Sequence, residues 1–177
     1  TGLVGISHKR KQGTFEVIRP LLACKKGNVL AYLKENKIPF LNDKTNQDLI
    51  FTRNRVRHEL LPVLEKIYNP QIKQSLASLQ SICSQTQDYM ERVSGQAFRR
   101  CVVKSSAPHK TALKIDVLQK LHPAIAQEVV LIALTEVKGD LKKISYPHVS
   151  AVMDILRANE KELECHLPGS IVARKKA

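Results

Sequence analysis

A repeat of apolar and small residues between Ile72 and Ala97 is the feature that most limits how this chain can fold. Its members alternate between spacings of four and three: Ile72, Leu76, Leu79, Cys83, Thr86, Met90, Val93 and Ala97. Such spacing places all of them on one face of a helix for about four heptads. Because Cys, Thr and Ala are weak packing residues, we expect a long helix inside a helical domain and not a free coiled coil. Gly95 is expected to end this helix early or to bend it.

The segment before Arg53 has a different pattern. HKRKQG (8–13) is predicted to be a basic loop, and TFEVIRPLL (14–22) alternates like a short strand closed by Pro20. GNVLAYLKENK (27–37) is typical of a helix, and IPFLND (38–43) of an extended segment. The order of strand, helix and strand predicts an α/β architecture.

From Arg53 onward the pattern is helical. Apolar residues after Arg53 fall on one face, and Pro62 within that run should kink or break the helix. Two more helices are expected, one from Pro123 to a stop at Gly139 and one that has Pro147 in its first turn. The last segment, ELECHLPGSIVARKK (162–176), alternates about a Pro-Gly pair and predicts a β-hairpin.

The charge of the chain indicates a polyanionic partner. It has 29 Lys and Arg against 16 Asp and Glu, a net charge of +13. Binding to phosphates releases condensed counterions, so such an excess favours nucleic acid. An anionic membrane surface is a rival explanation, but no basic amphipathic helix with an aromatic face is apparent. A basic surface that is only solvated is the third possibility.

Several classes of protein are not indicated. No apolar stretch approaches a membrane span, and no signal-peptide pattern opens the chain. The four cysteines are scattered without a C-x-x-C pair, which argues against a disulfide framework or a zinc site and suits the reducing cytoplasm. We expect no metal site in this chain.

The block FTRNRVRHELLPVL (51–64) contains the strongest candidate site. In a helix that advances about 100° per residue, Arg53 and Arg57 stack along the margin of the apolar face, and Asn54 and His58 share another flank. Arg55 points to solvent, and for Arg55 and His58 a solvated flank is the favoured interpretation. Guanidinium groups beside an apolar face need an anionic partner. Two alternatives stay open: the carboxylates of Asp43 and Asp48, or a phosphate or carboxylate of a ligand.

Basic clusters occur outside this block too. Arg99 and Arg100, and the group Lys138, Lys142 and Lys143, are usually solvated in proteins, but they are plausible phosphate contacts in a chain of this charge. The histidines at 122, 148 and 166 are isolated and are more often packed than catalytic. From the residues alone we infer a basic protein that binds RNA or DNA, with no reaction assigned.

The order of motifs resembles the tRNA(Ile)-lysidine synthetase family of the ATP-pyrophosphatase superfamily. The motifs are GLVGI, IRPLL, ND-T-N followed by RNRVRHELLP, YNP and LPGSIVARK, and the RNRVRHELLP block is the most specific of them. The resemblance covers nearly the whole chain. It implies an ATP-dependent ligase in which the wobble cytidine of an isoleucine tRNA is activated with ATP and lysine then displaces AMP.

The resemblance also implies an organisation. Residues 1–68 would be the last part of an α/β ATP-pyrophosphatase (adenine nucleotide alpha hydrolase-like) domain. Residues 69–177 would be a mainly α-helical domain that binds tRNA through the basic clusters and ends in a short hairpin. ATP and Mg²⁺ would be co-substrates of the complete enzyme, with free lysine and isoleucine tRNA as substrates. A cytoplasmic protein without membrane attachment is expected, and a homodimer is a candidate assembly.

Carried over residue by residue, the resemblance makes five residues the positions that close the active site: Asp43, Asn46, Arg53, Asn54 and Arg57. Arg53 and Arg57 would face phosphate or the lysine carboxylate. Thr45 stands where the family usually has Ser. The S-G-G-x-D-S nucleotide loop of the family is not in this sequence and would lie before Thr1. The 177-residue chain on its own should therefore be inactive. A non-catalytic RNA-binding module, or another tRNA-modifying ATP-pyrophosphatase, is the alternative.

Overall fold

The computed structural model describes residues 2–41, 43–103, 109–160 and 162–176, except for the side chains of Lys11 and Lys44. The chain divides into two compact units, Thr1–Gln85 and Thr86–Ala177. The division predicted from the resemblance, after residue 68, stays a prediction. None of the described helices is both long and apolar enough to cross a membrane.

The described part of the first unit includes a hairpin, short 3₁₀ turns at Gly2–Val4 and Pro20–Ala23, and two longer helices. Strands β1 (Lys9–Gln12) and β2 (Phe15–Ile18) pair in antiparallel register, with Gln12 opposite Phe15. Gly13 in the connecting turn has a φ of 60°, a left-handed conformation that costs glycine least. Helix α1 (Lys26–Glu35) follows, and a 3₁₀ turn (Lys44–Gln47) precedes helix α2 over residues 52–68.

Helix α2 alternates between two kinds of turn. Its α-helical parts, Thr52–Arg55 and Leu61–Val63, alternate with π-helical parts, Val56–Leu60 and Leu64–Tyr68. Of the two outcomes predicted at Pro62, a break is wrong, because the backbone stays helical through this residue, and a kink stays a prediction. Pro62 sits at the start of its short α-helical part, between the two π turns, where a missing N–H is least disruptive.

The long helix is confirmed. Helix α3 (Ile72–Cys101) has 30 residues and continues through Gly95, and the boundary between the two units falls within it. Only its last turns are buried, at Ser94, Ala97, Phe98 and Cys101.

The second unit is mainly helical. After α3 come strands β3 (Val102–Val103) and β4 (Ala112–Leu113), helices α4 (Ile115–Gln119), α5 (Pro123–Lys138) and α6 (Tyr146–Arg157), and strands β5 (Leu163–Leu167) and β6 (Ile171–Lys175). The predicted terminal hairpin is confirmed, since β5 and β6 pair with Leu167 opposite Ile171.

The predicted helix boundaries in this unit depend on caps. Helix α5 has Pro123 in its first turn and ends at Gly139, whose φ of 86° and N–H bond to the Thr135 carbonyl (2.8 Å) form a C-cap. His122 Nδ1 accepts the Ala124 N–H at 3.2 Å, and His148 completes a capping box with Ser145. Two of the three isolated histidines therefore serve as caps.

The hydrophobic core of the second unit lies between its helices. Val129 and Cys101 have no exposed surface, and the residues around them are mostly aliphatic. The other buried members are Ala97, Phe98, Leu118, Ala126, Val130, Leu134, Val149, Met153, Leu156 and Leu167.

The expected α/β sheet is not found in the described residues. Their strands form three separate antiparallel pairs, and none is parallel. The segment predicted as a basic loop is β1, whereas residues 38–41 and 43 join no strand. The loop prediction was wrong because a strand exposed on both faces has no apolar alternation to reveal it.

The two units differ in burial. Asn54 is the one buried residue among those described in the first unit, and many of its large apolar side chains are exposed. Leu41 and Ile50 are extreme examples, at 101% and 84% exposure. Hydrophobic burial therefore stabilises the second unit far more than the first.

We predict that Leu134→Ala lowers the free energy of unfolding by about 2–5 kcal/mol, because Leu134 is 6% exposed and its removal leaves a cavity. The matched control is Leu76→Ala, at a residue 45% exposed, which should cost less than about 1 kcal/mol. Chemical denaturation of both variants measures the difference. Equal losses would contradict this placement of the core.

Candidate anion site at the start of helix α2

A buried amide joins the start of α2 to the loop before it. Asn54 is 1% exposed, and its Nδ2 donates to the carbonyls of Thr45 (2.9 Å) and Asp48 (2.8 Å). The orientation of the Asn54 amide is fixed by its partners. Carbonyl oxygens only accept hydrogen bonds, so Nδ2 and not Oδ1 must face them. Its Oδ1 is buried and has no hydrogen-bond partner among the described residues.

His58 contacts the same loop one helical turn later. Its Nε2 lies 3.0 Å from the Asn46 carbonyl. Since a carbonyl only accepts, Nε2 must carry the hydrogen. The expectation that His58 merely faces solvent is therefore incomplete: the ring is exposed, but it binds the loop.

The carboxylates of Asp43 and Asp48 accept hydrogen bonds from neighbouring residues of the same loop. Asp43 Oδ1 accepts the backbone N–H of Thr45 (2.9 Å) and its hydroxyl (2.8 Å), and Asp48 Oδ1 accepts the Ile50 N–H (2.9 Å). The hydrogen bonds from Thr45, with a smaller contribution from the charge of Arg53, lower the pKa of Asp43 below its usual value. Asp43 is thus an ionised N-cap of the 3₁₀ turn.

The three arginines are all exposed. The expected partial burial of Arg53 and Arg57 is not seen. Neither forms an ion pair with a described residue, although the charge of Arg53 acts weakly on the carboxylate of Asp43. Both guanidinium groups are consequently available to an external anion, and two arginines four residues apart suit a phosphate or a carboxylate.

Arg55 is exposed, as the sequence predicted. It lines a shallow groove with the apolar residues Val56, Leu60 and Val63 and with Glu59. Arg55 belongs to the first α-helical part, Thr52–Arg55, and precedes both π turns, which change the helical phase only of the residues after them.

The basic residues of the second unit differ in availability. Arg99 and Arg100 are exposed on the last turn of α3, and Lys142 and Lys143 are exposed after α5. Lys138 instead forms an ion pair with Asp140 and has only 17% of its side chain exposed. This pair, with the Lys142 N–H, lowers the pKa of Asp140.

Among the described residues no group of three or more His, Cys, Asp or Glu side chains could hold a metal ion. The donors near α2 are guanidinium, amide and imidazole groups, which fit negatively charged oxygens better than Mg²⁺.

Comparison with known proteins finds one family model and several relatives that are similar to this chain. Residues 1–64 match the model of the PP-loop domain. A tRNA(Ile)-lysidine synthase of Solibacter usitatus is 29% identical over 180 residues, covering 98% of this chain and 38% of that protein. The synthase of Geobacter sulfurreducens is 29% identical over 175 residues, covering 98% and 37%. That of Bacillus licheniformis is 48% identical over 65 residues, covering 37% and 14%.

The chain thus spans less than two fifths of the length of these curated relatives. The resemblance carried by the motifs is confirmed, and the PP-loop match supports the expected ATP-pyrophosphatase segment at the start of the chain. The site residues themselves stay predictions.

We predict that Thr45→Val raises the pKa of Asp43 toward its usual value, because the side-chain hydrogen bond is lost and the backbone one remains. Thr45→Ser keeps the hydroxyl and is the matched control. A carboxyl whose pKa is lowered on folding stabilises the fold above its unfolded pKa, and this stabilisation disappears as the pH falls through the lowered value. Carboxyl ¹³C titration by NMR measures the shift, and identical titration of both variants would contradict the assignment.

Proposed function

This chain is homologous to the tRNA(Ile)-lysidine synthases and contains a PP-loop domain match, and from this premise we propose that it is part of such a ligase. The proposed reaction joins lysine to the wobble cytidine of isoleucine tRNA with ATP, releasing AMP and pyrophosphate. The alignment over 98% of the chain with relatives of that name is the observation that supports it most.

In the proposed reaction the start of α2 holds negative oxygens. Arg53 and Arg57 are exposed and form no ion pair with a described residue, so they can bind phosphate or the carboxylate of free lysine. Asp43 and Asn46 lie on the loop that Asn54 and His58 hold, and they close the same site. ATP activates the cytidine when it is bound, and Mg²⁺ would accompany it.

The second unit is proposed to bind the tRNA. Its exposed cations, Arg99, Arg100, Lys142 and Lys143, are suited to phosphate contacts. Lys138 was included with them from the sequence, but its ion pair with Asp140 makes it the weakest of the five candidates.

We predict that binding of isoleucine tRNA to this chain weakens steeply with salt. If each of the four exposed cations neutralises one phosphate, the slope of log affinity against log salt should be about −3 to −4. Lys142→Ala should make the slope shallower by about 1, whereas the control Lys138→Ala should change it less, because its charge is already paired. Filter binding over a salt series measures the slopes, and a flat plot would contradict the proposed RNA interface.

We also predict that Arg53→Ala and Arg57→Ala each lower kcat/KM for lysine ligation by roughly ten- to hundredfold, assayed in the full-length gene product. A charge-assisted hydrogen bond is worth about 1.5–3 kcal/mol. Arg55→Ala, which removes an exposed charge worth at most about 1 kcal/mol, is the matched control.

Melting temperatures separate this role from a structural one. Since Arg53 and Arg57 form no ion pair with described residues, neither variant should melt much earlier than the control. Variants that melt early yet turn over normally when folded would make the arginines structural. A non-catalytic RNA-binding module would bind tRNA without any ligation by the full-length product.

A further inference from the structure

Helix α2 presents two neighbouring pairs of polar residues in its first turns, each four residues apart. One pair, Arg53 and Arg57, is exposed and forms no ion pair with a described residue. The other pair, Asn54 and His58, donates hydrogen bonds to the preceding loop. The same short sequence block therefore contains two sets of side chains with different partners.

The loop receives hydrogen bonds at three carbonyls. Asn54 donates to those of Thr45 and Asp48, and His58 to that of Asn46. These carbonyls belong to the 3₁₀ turn Lys44–Gln47 and to its C-cap. The three donor–acceptor distances are 2.9, 2.8 and 3.0 Å, in the normal range for such a bond.

Hydrogen bonds dominate here because little else holds the loop. Asn54 is the one buried residue described in the first unit, so its burial does not reflect a surrounding apolar core. Burying an amide costs free energy that its hydrogen bonds offset, and both N–H groups of Asn54 are paired although its Oδ1 has no partner among the described residues. Because the Asn54 side chain is 1% exposed, it cannot contact a substrate.

We propose that Asn54 and His58 are positioning residues that act through the loop at 43–48 and do not touch substrate. They hold Asp43 and Asn46 next to the turn of α2 that presents Arg53 and Arg57. This inference rests on the proposed function for its catalytic consequence, but the hydrogen bonds can be tested without it.

The first test is spectroscopic. In the NMR spectrum of the 177-residue chain, the side-chain amide protons of Asn54 should exchange with water at least tenfold more slowly than those of Asn36. Asn36 also donates to one carbonyl, that of Tyr32, but it is exposed. Equal exchange at the two residues would overturn the proposal.

The second test uses a variant of similar shape that lacks the hydrogen-bond donors. Asn54→Leu keeps the branched shape without donors, and should shift the backbone amide signals of Thr45 and Ile50, whose partners are the loop carboxylates. Asn36→Leu is the matched control and should leave both signals in place. Signals unmoved by Asn54→Leu would overturn the proposal even if both variants fold.

The third test is kinetic, in the full-length gene product. His58→Ala should lower kcat/KM for ligation about tenfold, and His58→Gln, which keeps an N–H donor, should recover at least half of that loss on a logarithmic scale. A merely space-filling ring would not be rescued by Gln, and that result would overturn the role of His58. If the loop signals shift in Asn54→Leu while ligation is unchanged, the proposed site has failed. If those signals do not shift, only the positioning role has failed.

Discussion

Burial of aliphatic side chains is the constraint on which the second unit depends. Val129 and Cys101 are fully buried, and helices α3, α5 and α6 each contribute residues around them. A domain with no Trp and few aromatic residues has to gain its stability from many such contacts. The exposed cations Arg99 and Arg100 lie at the end of α3, and Lys142 and Lys143 follow α5.

The first unit is held in a different way. Its described residues bury one amide, and the loop before α2 owes its conformation to hydrogen bonds from Asn54, His58 and Thr45. Hydrogen bonds are directional, whereas apolar contacts are not, so this arrangement defines the geometry of a small loop closely. In the proposed function, two exposed guanidinium groups that form no ion pair beside such a loop would select an anion by position as well as by charge.

Predictions from the sequence succeeded where a local pattern determines the structure. The helix at 72–101, the caps at Pro123 and Gly139, and the hairpin about Gly169 were all visible as spacing or turn chemistry. The predictions failed where the sequence contains no such local pattern. Lys9, Arg10 and Gln12 of strand β1 are exposed and show no apolar alternation, and the π turns of α2 leave no trace in the periodicity, so neither feature was predicted.

The sequence by itself determined the helical character of the second part, the excess of positive charge and the motif block that relates the chain to lysidine synthases. Each of these depends on residue types and their spacing alone. Only the tertiary structure decided which residues of this block are exposed and which are buried and hydrogen-bonded. Arg53 and Asn54 are adjacent in the chain, but one is exposed without an ion pair while the other is buried and donates twice. Which carbonyls lie within reach of Asn54 depends on how the loop folds back, and no local pattern contains that distance.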